Sequence, residues 1–196
     1  ITQMILPIFV YCYPVLRKKG EWIKEDYPAL KELIVNMHET MYHANGVGLA
    51  APQIGKAIRL FIVDGSPFSE SDELDLAERE FLKTYKKIFI NPLIIEEQGR
   101  EWAFNEGCLS IPNINEDVVR KDTLLIEYLD ESFKPQKETV GGLAARIIQH
   151  EYDHTEGILF VDKISPLRRR ILKNRLMDIS KGLVEADYKM KFHAKR

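Results

Sequence analysis

The chain has 196 residues, 45% of them hydrophobic and 30% charged, which suits one globular domain with a sizeable core. A formal net charge of -2 offers no global attraction to DNA or to an anionic membrane, so either partner would need a local patch. Two cysteines, Cys12 and Cys108, are too few for a disulfide framework. No stretch approaches transmembrane length and the apolar start carries no basic leader, so the chain reads as cytoplasmic, with no membrane or DNA partner.

Ile1-Thr2-Gln3 precedes Met4, and the expectation is that the native chain starts at Met4, with residues 1–3 an addition. Tyr27 to Tyr42 carries Leu30, Leu33, Ile34, Met37 and Met41 at amphipathic spacing, which predicts a helix with Asp26 as N-cap and Pro28 in its first turn. Asn45-Gly46-Val47-Gly48 ends it. Leu49 to Lys56 reads as loop or short strand, and Ile58 to Asp64 as a strand dense in Ile, Leu, Phe and Val. Ser66 to Glu80 then holds six acidic residues against one basic one, Arg79, and few large apolar groups. It is expected to be a solvated surface insertion spanning about residues 66–86, part helical after Asp75 and without chemistry of its own.

Ile88 to Asn91, Ile94 to Gln98 and Leu124 to Leu129 are the next strand candidates, the last followed by a turn at Asp130-Glu131-Ser132. Short turns between strands predict antiparallel pairing. Thr139 to His154 is the second clear helix, with Thr139 as cap and Leu143, Ile147, His150 and His154 along one face before Gly157 breaks it. After Ser165-Pro166, Leu167 to Leu183 is a third helix that opens on Arg168-Arg169-Arg170 and leads to a basic end at Lys189 to Arg196. Residues 166–196 thus form a C-terminal helix and basic tail, the one feature suited to nucleic-acid or ribosome contact. Mixed helices and strands without repeats give an α+β class, with residues 4–196 as a single catalytic domain.

The chemistry concentrates in His150-Glu151-Tyr152-Asp153-His154. Histidines four apart on a helix present both imidazoles on one face and can grip one metal ion. An open catalytic site normally takes three protein ligands, so a third is required. A histidine beyond Gly157 would serve in one metalloprotease class, but that position is Phe160, which excludes the class. A later glutamate would serve in another, leaving Glu185 as candidate. Cys108 in Glu106-Gly107-Cys108-Leu109-Ser110 is the better candidate, because a thiolate suits soft or borderline divalent metals and the glycine permits close backbone approach. A lone cysteine is otherwise a small buried hydrophobe. Glu151 lies about 100° around the helix from His150, free to act as general base and to return the proton to a departing amine. That chemistry is hydrolysis of an amide-like bond. Gly46-Val47-Gly48-Leu49-Ala50-Ala51-Pro52-Gln53 read alone is a packed turn.

Taken together, Gly46–Gln53, Glu106–Ser110 and Gln149–His154 resemble the three motifs of the peptide deformylases, the metal hydrolases that remove the formyl group from the N-terminus of new bacterial-type polypeptides. The resemblance spans roughly Tyr11 to Ile164. It implies antiparallel β-sheets packed around a central metal-binding helix, with an N-terminal and a C-terminal helix. It implies that Cys108, His150 and His154 hold the metal and that a metal-bound water attacks the formyl carbon with Glu151 as general acid/base. By the same resemblance the Gln53 amide and the Leu109 backbone N–H stabilise the oxyanion. Val47, Gly48, Phe104, Leu143 and Ile147 form the pocket for the substrate's methionine. The implied metal is ferrous iron in the cell, with Zn2+ or Ni2+ able to replace it, and the thiolate ligand leaves the ferrous site open to oxidation. The implied partners are N-formylmethionyl nascent chains, with ribosome contact expected through the basic C-terminal helix.

Four positions depart from the family pattern. Cys12 stands where a glycine is usual, Arg146 takes a helical position that is commonly apolar and is expected at the pocket rim, Asn113 to Asp117 lacks a substrate-contacting arginine, and the acidic insertion has no family role. Glu106 is expected to orient the site from behind its ligands. A metallopeptidase using Glu185 and a binding module with a closed structural metal site remain the competing readings at this point.

Overall fold

The computed structural model describes residues 2–193 and contains a five-stranded sheet, a two-stranded sheet and four α-helices. Residue 1 and residues 194–196, the extreme ends of the expected N-terminal addition and of the basic tail, lie outside the described residues.

The first strand, β1 (Ile8–Phe9), leads to helix α1 (Leu30–His43). Leu30, Ile34, Met37 and Met41 form the buried face of α1, as their spacing predicts, and pack beneath Leu60, Ile62 and Ile90. Its start differs from expectation. Ala29 is the N-cap residue, in the left-handed region at φ 54°, with no side-chain cap, so Asp26 and Pro28 lie ahead of the helix. Strands β2 (Gly48–Ala50) and β3 (Leu60–Asp64) follow, and helix α2 (Leu76–Lys83) occupies the acidic segment, capped by the Asp75 carboxylate, which accepts from Glu78 N at 2.8 Å.

Strands β4 (Lys86–Cys108) and β5 (Ile111–Leu129) are far longer than the sequence suggests, and β6 (Pro135–Gly141) is a strand where none is expected. Asn91 and Gln98-Gly99 look like strand ends in the sequence. In the fold they are irregularities within one strand, with the register shifting between Ile90 and Leu93 and again between Gln98 and Glu101. Asn91 and Gly99 take φ values of 50° and 84° there, so residues that usually end a strand instead bend this one. The sheet order is β2-β3-β4-β5-β6 with every neighbour antiparallel, while β1 pairs in parallel with the short β7 (Met190–Lys191).

Helix α3 (Gly142–Thr155) packs Leu143, Ala144, Ala145, Ile147 and Ile148 against Phe61, Val63, Phe89, Leu124 and Ile126 of the sheet. Small residues at 144 and 145 let the helix approach closely. Thr139 is a residue of β6, and the N-cap is Gly141 with no side-chain cap, so the expected threonine cap is not used. Helix α4 (Pro166–Ser180) starts as predicted, with Ser165 Oγ accepting from Arg168 N at 3.2 Å. Beyond it, residues 183–190 run as an extended strap that brings β7 beside β1, with Ile8 N donating to Lys189 O at 2.9 Å. Among the described residues no helix is long and apolar enough to cross a membrane.

Candidate active site

The central helix places His150 and His154 one turn apart, their ring centroids separated by 5.2 Å. Opposite them the β4/β5 hairpin turns tightly, pairing Cys108 with Ile111, and this brings Cys108 Sγ to 3.4 Å from His154 Nε2. The candidate ligand atoms of Cys108, His150 and His154 all lie within 4.8 Å of one another, the only such cluster of His, Cys, Asp or Glu among the described residues. Glu185 sits on the exposed strap outside that cluster. Phe160, at the third-histidine position of the excluded class, packs its ring near His150 at 6.1 Å between centroids.

The donor set fits a borderline divalent ion. His150 Nδ1 lies 2.9 Å from Glu106 Oε1, so the carboxylate fixes the tautomer and leaves Nε2 for a metal. His154 is 1% exposed, and burial pushes its pKa well below the ordinary value, keeping the imidazole neutral as coordination requires. Burial would lower the His150 pKa, but hydrogen bonds with Cys108 and Glu106 outweigh it and hold it well above the ordinary value, so an incoming ion would displace a proton there. Both imidazoles, then neutral, and a thiolate would hold Fe2+, Zn2+ or Ni2+.

Glu106 is itself clamped. Arg120 donates through Nε to Oε2 at 2.7 Å and through Nη2 to Oε1 at 3.0 Å, and Arg146 Nη1 donates to Oε2 at 2.8 Å. Burial alone would raise the Glu106 carboxyl, but hydrogen bonds from His150 and Arg120 outweigh it and hold the group well below the usual carboxylate range. Arg120 also reaches Asp153 Oδ2 at 2.7 Å, tying the hairpin to α3 beside His154. Arg146 lines the cleft, as its helical position suggests, but its cation is not free at the rim. Its side chain is 2% exposed, and besides Glu106 it donates to Val118 O at 2.8 Å and Trp102 O at 2.7 Å.

Glu151 is buried on α3, and its Oε2 has no hydrogen-bond partner. Burial pushes its carboxyl up to about 7. Gly48 is what lets it in. A Cβ at that position would lie 2.5 Å from Glu151 Oε1, so any other residue would displace the carboxylate. Gln53, 2% exposed on the short turn Ala51–Ile54, accepts at Oε1 from Ala50 N at 2.9 Å. That bond orients Nε2 toward Ser110 Oγ at 3.2 Å and Cys108 Sγ at 3.5 Å. Leu109 sits at the hairpin tip, and its carbonyl accepts from the Tyr188 hydroxyl of the C-terminal strap at 2.7 Å.

Val47, Gly48, Phe104, Leu143 and Ile147 all line one cleft of about 980 Å³ together with Cys108, Leu109, His150 and Glu151. The sequence-derived set is therefore gathered in one place. The structure adds Arg120, Tyr188 and Phe68, which no local spacing in the chain announces, and gives Asp153 of the helix motif a partner in Arg120. Cys12, at a position where the resemblance leads one to expect glycine, adopts φ 75°, in the left-handed region that favours glycine. The Asn113 to Asp117 stretch carries no cation: Asn113, Ile114 and Asn115 line the cleft, and Asn113 Nδ2 donates to Glu185 O of the strap at 2.9 Å.

The comparisons with known proteins agree with this geometry. A family profile described as polypeptide deformylase matches residues 5–170. The chain is 58% identical over 189 residues to a peptide deformylase of Christiangramia forsetii, covering 96% of each chain. It is 56% identical over 191 residues to that of Flavobacterium johnsoniae, covering 97% of each. The crystal structure of a peptide deformylase from Legionella pneumophila superposes with a TM-score of 0.74 at 37% identity, over 89% of this chain and 95% of that one. With a Cys/His/His cluster set between a hairpin tip and a central helix, and similarity that runs over nearly the whole chain, this protein belongs to the peptide deformylase family.

Proposed function

We propose that residues 4–196 form one catalytic domain that hydrolyses the N-formyl group from the N-terminal methionine of newly synthesised polypeptides. The observation that carries this reading is the convergence of three metal-ligand atoms within 4.8 Å on a cleft shared by the Glu151 carboxylate, the Gln53 amide and the Leu109 backbone. Cys108, His150 and His154 hold a divalent ion, ferrous iron in the cell and replaceable by zinc or nickel. When bound it supplies Lewis acidity, making a water molecule nucleophilic near neutral pH.

The remaining steps fall to the protein's own groups. Glu151, an unpaired buried carboxylate with a pKa near neutrality, accepts the proton from the attacking water. The C–N bond of the formamide then breaks, and Glu151 returns the proton to the departing nitrogen, so that formate and a free amino terminus leave. The Gln53 Nε2–H and the Leu109 N–H stabilise the negative charge that develops on the formyl oxygen. Glu106, held by Arg120 and Arg146, keeps His150 in the tautomer that ligation needs. Val47, Gly48, Phe104, Leu143 and Ile147 receive the methionine side chain, whose flexible thioether suits an apolar cleft.

A substrate on nascent chains places the enzyme in the cytoplasm. Ribosome contact through α4 would rest on few free cations, since Arg168 engages Glu116, and Arg169 donates to Val161 O and Asp162 O. Arg170 and Lys173 are exposed. The test is anaerobic purification with metal analysis, followed by formate release from formyl-Met-Ala-Ser and from its acetyl analogue. Formate from the first and no cleavage of the second is expected. Failure to release formate from the first by the iron-loaded protein would overturn the reading.

A further inference from the structure

We propose that the acidic segment between β3 and β4 is a specificity element of the methionine pocket, in which Phe68 closes the pocket wall and Glu78 fixes the Leu143 end of α3. This rests on the deformylase reading above. The sequence marks the segment as a charged surface insertion, and its outer face is indeed solvated. Its inner face is not. Phe68, half-buried, lines the catalytic cleft and packs on the core cluster that contains Leu143 and Ile147, beside Val47 and Phe104.

The segment is held rigidly enough to act as a wall. Leu82 is fully buried, Asp64 Oδ1 accepts from Ser66 N at 2.9 Å, and Arg79 Nε donates to Ser69 O at 2.8 Å, which ties α2 to the turn carrying Phe68. From the same helix, Glu78 Oε1 accepts from Leu143 N at 2.8 Å. That N–H belongs to the first turn of α3, where Gly141 offers no side-chain cap, so the insertion supplies the missing acceptor and a negative charge at the positive end of the helix. Gly142 makes the approach possible. It adopts φ 63°, and a Cβ there would stand 2.2 Å from Glu78 Oε1. Leu143 is thus both a pocket residue and the point where the insertion grips the helix that carries His150, Glu151 and His154.

Steady-state kinetics of the iron-loaded full chain on formyl-Met-Ala-Ser and formyl-Ala-Ala-Ser test the proposal. Phe68→Ala is expected to raise KM for the methionyl peptide about 5- to 20-fold with kcat within about twofold, because a contact common to ground and transition states is lost. The alanyl peptide has only a methyl group in the pocket and is expected to change far less, so the preference for methionine falls by a similar factor. Phe68→Leu is expected to be intermediate and carries the test should the alanine variant fail to fold. Glu78→Ala is expected to raise KM for the methionyl peptide and lower Tm, while Glu78→Gln, which keeps an acceptor oxygen without the charge, restores KM and part of the Tm. Unchanged selectivity in the Phe68 variants, equal losses on both peptides, or identical behaviour of the two Glu78 variants would overturn the proposal. Absence of formate release by the wild type would overturn the deformylase reading beneath it, a result distinct from release with unaltered selectivity.

Discussion

Replacing Arg146 with methionine removes a buried cation from the cleft wall while keeping much of its length. Three contacts disappear: the 2.8 Å ion pair with Glu106, and the bonds to Val118 O at 2.8 Å and Trp102 O at 2.7 Å. The guanidinium also lies 4.6 Å from the Trp102 ring centroid, a contact that the thioether replaces only in part. Removing one partner of a buried ion pair costs about 3 to 5 kcal/mol. Arg120 still holds Glu106, which puts the expectation at the lower end, near 3 kcal/mol. For a chain of this size that is a fall in Tm of about 6 to 12 °C.

The functional consequence travels through His150. Glu106 with one cation fewer holds the His150 ring less firmly, and loss of such support typically weakens metal affinity by about 10-fold or more. Thermal unfolding of the metal-free protein and metal titration of the refolded variant measure the two effects. Arg146→Lys, which keeps the charge without the planar fork, is expected to fall between the two proteins. A Tm within about 2 °C of wild type, or a smaller loss in the methionine variant than in the lysine one, would refute the view that this arginine is a structural clamp on Glu106.

Glu151→Gln is expected to lower kcat for formate release by about 10²- to 10⁴-fold with metal content unchanged, and wild-type turnover would remove Glu151 from its assigned role. Cys108→Ser is expected to lose most of the bound metal after dialysis, whereas Glu185→Gln keeps it; the opposite pattern by metal analysis would favour the metallopeptidase reading. Asp64 supplies a pH dependence. Burial would raise its carboxyl, but the Tyr42 hydroxyl at 2.6 Å and hydrogen bonds from Ser66 hold it below the ordinary value. A depressed carboxyl stabilises the fold above the unfolded value of about 4 and loses that contribution as pH falls through the folded one. Asp64→Asn is therefore expected to be less stable than wild type at pH 7, with the gap closing below about pH 4 in urea unfolding. A gap that stays constant with pH would count against it.

Much of the site was legible because its chemistry lies in short segments. His150, Glu151 and His154 share one helix, so spacing alone orients them, and the search for a third ligand leads to Cys108 once Phe160 blocks the alternative. What escaped is carried by pairings across long sequence separations. Arg120 meets Asp153 across 33 residues, Glu78 meets Leu143 across 65, and Tyr188 meets Leu109 across 79. The long hairpin is not evident in the sequence because asparagine and glycine at positions 91 and 99 signal strand ends, while the fold uses them as bends.

The α+β class, the amphipathic faces of α1 and α3 and the three motifs are readable along the chain, because a helix fixes which side chains share a face. The Cys108, His150 and His154 set is what the family resemblance of those motifs implies, since spacing alone leaves Glu185 open as a third ligand. That Arg146 is paired and buried within the cleft wall, and that the acidic segment reaches the cleft through Phe68, follows from the packed fold alone. Burial and pairing partners depend on how the β4/β5 hairpin bends over α3 and how the strap returns to β1. Those packings are set by contacts among elements far apart in the chain, and no window of the sequence contains both sides of them.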